Sequence, residues 1–534
     1  MPRRNAATRS ADARSSLGRP SLGDSHCVQL SVTPIIRGHP LPGDSYQEQH
    51  FWDTHGVRGL YSTGNRAEEK HVAVTKPVHI EVPAYALRVV RALEGAGFEA
   101  WVVGGFVRDA LMGGAGHDVD VTTSAPWQQT ARVLRAAGIE VHETGAQHGT
   151  VTAVVDGLPV ETTTYRVEGA YSDMRHPDVV RFVEDVREDL ARRDFTVNAM
   201  AYHPERGLLD PYGGQEDLGR GVIRAVGEPR RRFEEDALRV LRAVRFACRL
   251  GFTIEPATQE ALVACAPELA GIAHERIGQE IDGILASGRV AWALRHEFEV
   301  LAAAIPELAP MRGFDQKSPY HAYDVLEHTA RVCAGAEEFT GGFALRPLRW
   351  AALLHDVAKP ACWSVDEGGR GHFFGHPEEG ARMAGEVMGR LAIERSTVRE
   401  AQAIIRLHDL PIHPTVRSIR RMLAKLEGAC PGRGEALAHA LIDLKRSDAV
   451  GKAPKCMGYA AELDAMERVL RAEIARGAVC AIGDLKVNGA DVMRERGIEP
   501  GPGVGMVLRS LLDAVLADEL PNDREALLAE LRYR

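Results

Sequence analysis

In the first third of the chain, the spacing of apolar residues alternates between the period of a helix and the period of a strand. The pattern predicts helices over 85–96, 106–112 and 126–137, and strands over 98–103, 118–122, 139–143, 149–156 and 158–165. The Asp156-Gly157 pair is typical of a tight hairpin turn between the last two strands. This order of elements predicts an α/β unit with helices on a mixed five-stranded sheet.

Helical periodicity dominates after about residue 184, and prolines interrupt it at intervals. We therefore expect an α/β head followed by all-α regions and no internal repeat. The predicted divisions are a disordered or poorly ordered N-terminal extension (1–78), a head (79–205), a helical neck (206–310), a second helical domain (318–452) and a helical C-terminal region (455–534).

Composition narrows the classes of protein that fit this pattern. The 534 residues carry a net charge of −9, so any nucleic-acid binding must depend on local basic patches. Eight cysteines without a C-x-x-C pair argue against a zinc ribbon and favour a reducing compartment. No apolar run approaches the length of a membrane span. We expect a cytoplasmic protein without a membrane partner, either monomer or dimer.

Two aspartates separated by one residue suggest metal chemistry in the head. Asp118 and Asp120 lie on one predicted strand, so their carboxylates point to the same face about 6.6 Å apart. Glu161 has the same face parity in a later predicted strand and can supply a third carboxylate. Such oxygen ligands suit Mg²⁺ whose shell is completed by substrate phosphates. The pair alone is more often a solvated strand end.

The residues before this pair favour the metal interpretation. Gly104 and Gly105 follow a predicted strand and open a predicted helix, where backbone N–H groups can approach a triphosphate. Arg108 and Asp109 follow within one turn. Together these residues indicate a metal-dependent phosphoryl or nucleotidyl transfer site.

The stretches GGFVRD (104–109) and HDVDVTT (117–123) resemble the nucleotidyltransferase head of the bacterial class II tRNA nucleotidyltransferase and poly(A) polymerase family. The stretch RRDFTVNAMA is similar to the family segment that contacts the incoming nucleotide, which implies that role for Arg192, Arg193, Asp194 and Asn198. EEDALRVLRAVRFACRLGF resembles the neck helix that selects the base, and HERIGQE the next neck signature. Residues 165–183 resemble the loop required for complete CCA addition.

Base selection also has a physical basis in the neck. Asp236 and Arg239 are three residues apart, hence on one face if both are helical. The carboxylate can accept from the exocyclic amine of cytosine or adenine while the guanidinium donates to a ring nitrogen, and uracil or guanine would reverse both pairings. The alternative is an ordinary surface ion pair. Arg242 and Arg245 belong to the same stretch, whose nine arginines against four carboxylates over 220–249 form a local basic patch.

A second set of ligands lies in the region 318–452. His328, His355-Asp356 and Asp448 follow the H…HD…D order, and this set resembles an HD domain. His376 and His408 are candidates for a second metal. The resemblance implies a divalent transition metal such as Ni²⁺ or Mn²⁺ and a 2′,3′-cyclic phosphodiesterase, 2′-nucleotidase or phosphatase activity.

The sequence therefore predicts an enzyme that builds or repairs the 3′ CCA end of tRNA from CTP and ATP with Mg²⁺. A poly(A) polymerase and an enzyme adding only CC or only A remain alternatives with the same chemistry. An HD phosphohydrolase with an RNA-binding head is an alternative of another class. A non-catalytic RNA-binding module would lack Asp118 or Asp120, and both are present.

Overall fold

The computed structural model describes residues 78–533, apart from 115, 117, 169–179, 343 and 453–457. The predicted N-terminal extension, except for residue 78, and the centre of the predicted CCA-addition loop lie outside the described residues. The two ends of that loop pair as short antiparallel strands.

A mixed sheet of seven strands forms the centre of the head. The head strands are β1 (Ala100–Val103), β2 (Asp120–Thr123), β3 (Glu140–His142), β4 (Thr150–Val155), β5 (Leu158–Thr164), β6 (Arg166–Glu168), β7 (Val180–Phe182), β8 (Ala201–His203) and β9 (Gly207–Leu209). The sheet order is β3-β4-β5-β2-β1-β8-β9; β2 and β5 are parallel, and every other pair is antiparallel. Strands β6 and β7 form a separate antiparallel pair at the two ends of the predicted loop.

The predicted fold class is confirmed, and the sheet is two strands wider than predicted. The additional strands, β8 and β9, contain three residues each. All three residues of β8 are buried and all three of β9 are half-buried, so neither strand shows an alternating pattern, which explains why the sequence did not reveal them. Pairing of β8 with β1 extends the sheet on the side away from β5.

Apolar helix faces cover the head sheet. The head helices are α1 (Ala84–Gly95), α2 (Gly105–Leu111), α3 (Trp127–Ala136) and α4 (Val186–Ala191). Buried residues of α1 and α3, such as Leu93 and Leu134, join Val102, Val121 and Val160 of the sheet in one apolar cluster. A smaller cluster around Tyr165 and Leu190 packs α4 against the sheet. These two clusters hold the ends of β1, β2 and β5 in place.

The neck begins after the sheet and is almost entirely helical. Its elements are α5 (Gly214–Arg220), β10 (Val222–Ile223), α6 (Pro229–Glu235), α7 (Leu238–Leu250), β11 (Thr253–Ile254), α8 (Pro256–Cys265), α9 (His274–Leu285), α10 (Val290–His296) and α11 (Phe298–Ala304). Helix α7 is buried along most of its length, and Gly251 ends it with φ +75°. One apolar cluster continues from α7 into the second helical domain.

Helices also build the remainder of the chain. The elements of 318–452 are α12 (Val325–Phe339), α13 (Arg346–Leu354), β12 (Ser364–Val365), β13 (Gly371–His372), α14 (His376–Arg390), α15 (Arg395–Leu407), α16 (Val416–Ala429) and α17 (Gly434–Gly451). The C-terminal helices are α18 (Ala460–Ala475), α19 (Gly489–Arg496), α20 (Pro502–Leu516) and α21 (Arg524–Tyr533), and the last three share a separate apolar cluster. Within the described residues, no helix has the length and apolarity needed to span a membrane.

Candidate active site and candidate metal centre

The sheet brings the predicted carboxylates of the head together. Asp120 is the first residue of β2, paired in parallel register with Glu161 of β5 and in antiparallel register with Val103 of β1. Asp118 lies two residues before β2 and is exposed, so the predicted strand begins two residues too early. The arrangement places Asp120 and Glu161 side by side on neighbouring strands, with Asp118 close enough to act on Asp120 electrostatically.

Asp120 is electrostatically strained in the absence of a cation. Burial raises its pKa to about 6; Arg193 opposes the rise, while the negative charges of Glu161 and Asp118 add to it. A divalent cation at these oxygens would remove the repulsion and favour the ionised form. The three carboxylates therefore have the charge and the oxygen ligands that Mg²⁺ requires.

The glycine turn predicted at the end of the first strand lies against the carboxylates. Gly104 has φ +74°, and a Cβ there would lie 2.9 Å from Nη1 of Arg193 and 3.9 Å from Oδ2 of Asp120. Gly105 is the first residue of α2. Burial lowers the pKa of Arg193, whose Nε finds no hydrogen-bond partner among the described residues. This turn therefore combines a close backbone approach with a buried guanidinium beside Asp120.

A chain of polar contacts links the head to the neck. Buried Arg108 donates to Asp109 Oδ1 at 2.7 Å and to Asn198 Oδ1 at 2.6 Å. Asn198 donates in turn to Asp194 Oδ1 at 3.0 Å. Arg192 donates to Asp189 at 2.9 Å and lies beside this chain. The structure thus brings the phosphate-binding candidates and the nucleotide-binding candidates into one connected group.

The neck helix α7 completes this group with arginines. Arg242 donates to Asp194 Oδ2 through Nε at 2.9 Å and through Nη2 at 2.6 Å. Although burial opposes ionisation, Arg242 and Asn198 lower the pKa of Asp194 to about 2. Arg245 donates to Glu280 Oε2 at 2.5 Å. Six of the predicted residues are therefore held by one another or by Glu280.

The predicted geometry of base selection is wrong in one respect. Asp236 is not helical: it lies between α6 and α7 with φ −149° and ψ 102°, so it does not share a helical face with Arg239. Asp236 Oδ2 accepts from Arg276 at 2.8 Å. Arg239 donates to Glu235 Oε2 at 2.7 Å. Asp236 follows the last residue of α6, and its carboxylate accepts from the Leu238 N–H at 3.1 Å at the start of α7.

Two neck residues of this site escaped the sequence analysis. The ring of Phe246 has the guanidinium carbons of Arg108, Arg242 and Arg245 at 5.3, 5.5 and 4.5 Å from its centroid. Arg276 holds Asp236. Phe246 follows Arg242 by four residues, so helical spacing contained the signal for it; nothing in the spacing pointed to Arg276.

All six predicted ligands in 318–452 converge on one place. His328, His355 and Asp448 form one group whose ligand atoms lie within 4.8 Å of one another, and Asp356, His376 and His408 form a second such group. Asp356 lies between the groups, with Oδ2 3.2 Å from His355 Nε2 and Oδ1 3.6 Å from His376 Nε2. The set offers nitrogen and oxygen ligands to two neighbouring cations.

Each of the four histidines is oriented in the same way. Their Nδ1 atoms lie next to main-chain carbonyl oxygens: His328 to Gly451 at 3.0 Å, His355 to Ala352 at 3.0 Å, His376 to Phe373 at 2.8 Å and His408 to Ile405 at 2.6 Å. If each Nδ1–H donates to its carbonyl, the proton is on Nδ1 and the Nε2 lone pair is available. This tautomer is the one that can bind a metal through Nε2. Burial lowers the pKa of His408 to about 3, which keeps that ring neutral.

The central aspartate fits a metal ligand. Neither carboxylate oxygen of Asp356 accepts a hydrogen bond from the described residues, although the group is buried. Lys359 Nζ lies 2.7 Å from Asp356 Oδ2 as an ion pair, and Lys452 Nζ lies 2.5 Å from Asp448 Oδ2. The sequence analysis missed both lysines, although each follows its aspartate by one helical turn.

Two cavities open beside these ligands. One, of about 700 Å³, is lined by Tyr320, Lys445, Tyr459 and neighbouring residues; the other, of about 280 Å³, by Lys359, His372, Phe374 and neighbouring residues. Both cavities reach His321, His408, Asp409, Asp448 and Lys452. A ligand in either cavity therefore touches the metal ligands.

Known families match the chain in four segments. Residues 100–224 match the poly A polymerase head domain, and residues 251–311 match the RNA- and SrmB-binding site of polymerase A. Residues 321–452 match the HD domain, and residues 466–531 match tRNA nucleotidyltransferase domain 2.

Whole-length similarity points the same way. The CCA-adding enzyme of Leuconostoc mesenteroides is 32% identical over 439 residues, 82% of this chain and 93% of the relative. That of Geobacillus stearothermophilus is 32% identical over 451 residues, 84% and 96%. The crystal structure of the Bacillus stearothermophilus CCA-adding enzyme in complex with CTP is 32% identical, covers 84% of this chain and 96% of its own, and has a TM-score of 0.64. The chain belongs to the CCA-adding enzyme family of tRNA nucleotidyltransferases.

Proposed function

We propose that the head and neck add the 3′-terminal CCA to tRNA without a nucleic-acid template, using CTP and ATP. The observation that carries this proposal is the pairing of Asp120 with Glu161 beside the Gly104 turn, with Asp118 close enough to act on Asp120, in a chain of this family. In this reaction the 3′-hydroxyl oxygen of tRNA bonds to the α-phosphorus of the nucleotide, and pyrophosphate leaves. Bound Mg²⁺ would activate that hydroxyl and neutralise the triphosphate.

The chain's own residues bind and orient the substrates. We assign Mg²⁺ binding to Asp118 and Asp120, with Glu161 completing the acidic set. Gly104 and Gly105 allow the triphosphate to approach the backbone. Arg108 and the adjacent arginines neutralise part of the negative charge of the triphosphate. The nucleotide-binding residues in this assignment are Arg108, Asp109, Arg192, Arg193, Asp194, Asn198, Asp236, Arg239, Arg242 and Arg245.

Base choice by Asp236 and Arg239 requires an exchange of partners. Asp236 is paired with Arg276, and Arg239 with Glu235, so their polar atoms are already engaged. A cytosine or adenine edge would replace these contacts with the amine-to-carboxylate and guanidinium-to-ring bonds that uracil and guanine lack. Loss of the internal pairs without such replacement would leave buried polar groups unsatisfied, which supports rejection of the wrong base.

An extension assay tests this function directly. A tRNA transcript lacking CCA is incubated with the full chain, Mg²⁺ and radiolabelled CTP and ATP, and the extended ends are sequenced. We expect ends of CCA and no incorporation from UTP or GTP. Growth of a long A-tail would identify a poly(A) polymerase, and ends of CC or A alone a partial enzyme.

One observation bears on the cellular compartment of this proposal. The described cysteines are free thiols, which agrees with the reducing cytoplasm.

The arginines of 220–249 would contact the phosphate backbone of tRNA. The affinity for tRNA should therefore fall as the salt concentration rises.

A second proposed activity is hydrolysis of phosphate esters by the HD domain. Its support is the convergence of six ligands with all four Nδ1 atoms held by main-chain carbonyls. Bound Ni²⁺ or Mn²⁺ would supply an activated water for attack on phosphorus. The test is release of product from adenosine 2′,3′-cyclic phosphate by metal-loaded protein; no release with either metal at any concentration tested would contradict the activity.

A further inference from the structure

An aromatic side chain next to the HD ligands is exposed to solvent. Phe374 is 80% exposed, more than any other phenylalanine or tryptophan among the described residues. It lies two residues before His376 and lines the 280 Å³ cavity together with Asp356 and His408. The exposed ring is therefore accessible to a molecule bound in this cavity.

The backbone holds this ring in place. Neighbouring Phe373 packs on Trp363 with ring centroids 5.2 Å apart, and Trp363 packs on Phe314 at 5.3 Å. Gly371 approaches so closely that a Cβ there would lie 2.3 Å from the Trp363 ring, and its N–H donates to Lys317 O at 3.1 Å. Phe373 and Phe374 both line the cavity; the Phe373 ring is anchored on this cluster, and the Phe374 ring is left exposed.

A second ring supports Phe374 from behind. The imidazole of His372 is parallel to it, with an interplanar angle of 7° and centroids 5.1 Å apart. His372 Nε2 lies 2.8 Å from Asp366 Oδ2, which fixes the imidazole. The two rings form a stack at the mouth of the cavity, and both line it.

We propose that this stack, the His372–Phe374 platform, binds the nucleobase of the phosphate ester that the HD domain hydrolyses. The proposal rests on the hydrolase function proposed above. The same cavity holds metal ligands for a phosphate and the ammonium groups of Lys359 and Lys452, so one nucleotide can reach both. Stacking on an aromatic face accepts every base, so the platform selects nucleotides over base-free esters rather than one base over another.

The test compares an ester that carries a base with one that does not. The full chain with Mn²⁺ is assayed on adenosine 2′,3′-cyclic phosphate and on glycerol 2-phosphate. We expect Phe374→Ala to raise the KM for the adenosine ester by about 5- to 150-fold, the size of one base stack. The kcat, and the KM for glycerol 2-phosphate, should stay unchanged. Phe374→Trp should retain the wild-type KM, and Phe339→Ala, another exposed phenylalanine, is the matched control.

Other outcomes would overturn the platform. An unchanged KM for the adenosine ester removes its role, and an equal rise for both esters indicates distortion of the metal site. A change of oligomeric state in Phe374→Ala without a change in KM would identify a protein contact instead. If the wild-type protein hydrolyses neither ester, the hydrolase function fails, and calorimetric titration with adenosine 3′-monophosphate and Mn²⁺ decides the platform. The platform is supported if the wild-type protein binds adenosine 3′-monophosphate and Phe374→Ala does not. Equal binding by the two proteins, or no binding by either, contradicts the platform.

Discussion

Asp120 shows at the scale of one residue how a reaction centre costs stability. Its pKa of about 6 lies above the ordinary 3.8 because burial and two neighbouring carboxylates disfavour the charge. A raised pKa means that the folded chain binds a proton more tightly than the unfolded chain. Stability of the metal-free protein therefore falls as pH rises from about 4 to about 6, and the cost persists above that range.

Replacement by asparagine should remove this cost. We expect Asp120→Asn to raise the free energy of unfolding of the metal-free protein at pH 8 by about 1–3 kcal/mol, with about 1.4 kcal/mol for each pKa unit as the upper bound. The gain should shrink at pH 5, while CCA addition is lost at every pH. Urea unfolding in EDTA at pH 5 and pH 8 measures the change in the free energy of unfolding. Glu205→Gln, which removes an exposed carboxylate, is the control. A destabilised Asp120→Asn at pH 8 would contradict the strain.

Residue spacing predicted some side-chain positions because strand geometry is simple. Asp120 and Glu161 share parity, and the sheet pairs them in register, since side chains alternate strictly along a strand. Asp236 and Arg239 did not follow helical spacing, because the helix breaks at Asp236 without a proline or glycine to mark it. Partners such as Arg276, forty residues further along, depend on packing that no local pattern encodes.

At the scale of elements, one of the contacts that join helix α7 to the head is the ion pair of Arg242 with Asp194. Arg242, with a third of its side chain exposed, donates two hydrogen bonds to Asp194, which is nearly buried. Removing one partner of such a pair leaves the other charge buried and unpaired. The depressed pKa of Asp194 contributes stability that is present at neutral pH and lost as pH falls below about 4 towards 2.

We expect Arg242→Ala to lower the free energy of unfolding at pH 7 by about 2–4 kcal/mol, below the value for a fully buried pair because Arg242 is partly exposed. Adding Asp194→Asn should recover part of the loss, since the amide oxygen can still accept from Asn198 and from the Phe195 N–H. Urea unfolding of both variants measures the difference. Arg230→Ala, in an exposed pair with Glu234, should have a far smaller effect because solvent screens that pair. A double variant less stable than Arg242→Ala would refute this account.

The elements themselves were predictable to different degrees. Apolar periods located helices α1 to α3 and strands β1 to β5 to within a few residues, whereas β8 and β9, which do not alternate in burial, left no pattern. In the HD domain the order of the histidines and aspartates predicted a set of candidate ligands that the fold brings together. The main-chain carbonyls that orient each imidazole come from helix ends and turns, which only the folded chain brings into reach.

At the scale of the whole molecule, two sets of acidic ligands occupy different parts of one chain. Asp118 and Asp120 lie before and at the start of β2 in the head, while Asp356 and its histidines lie in the helical region 318–452. The apolar cluster that runs from the neck into the HD domain is separate from the apolar cluster of the head sheet. The candidate metal ligands and the adjacent cationic side chains of the head are different residues from those of the HD domain. Each reaction should therefore depend on its own set of residues.

The two activities should therefore separate by mutation and by metal. We expect Asp118→Ala to lower CCA addition by at least about 10²–10³-fold, the loss typical of one transition-state charge contact, and to leave cyclic-phosphate hydrolysis unchanged. Asp356→Asn should do the reverse. After EDTA treatment, Mg²⁺ should restore addition, while Ni²⁺ or Mn²⁺ should be needed for hydrolysis. Melting curves of both variants exclude unfolding as the cause. A stably folded variant that loses both activities would show instead that the two centres act as one, because each would then need the other's ligands.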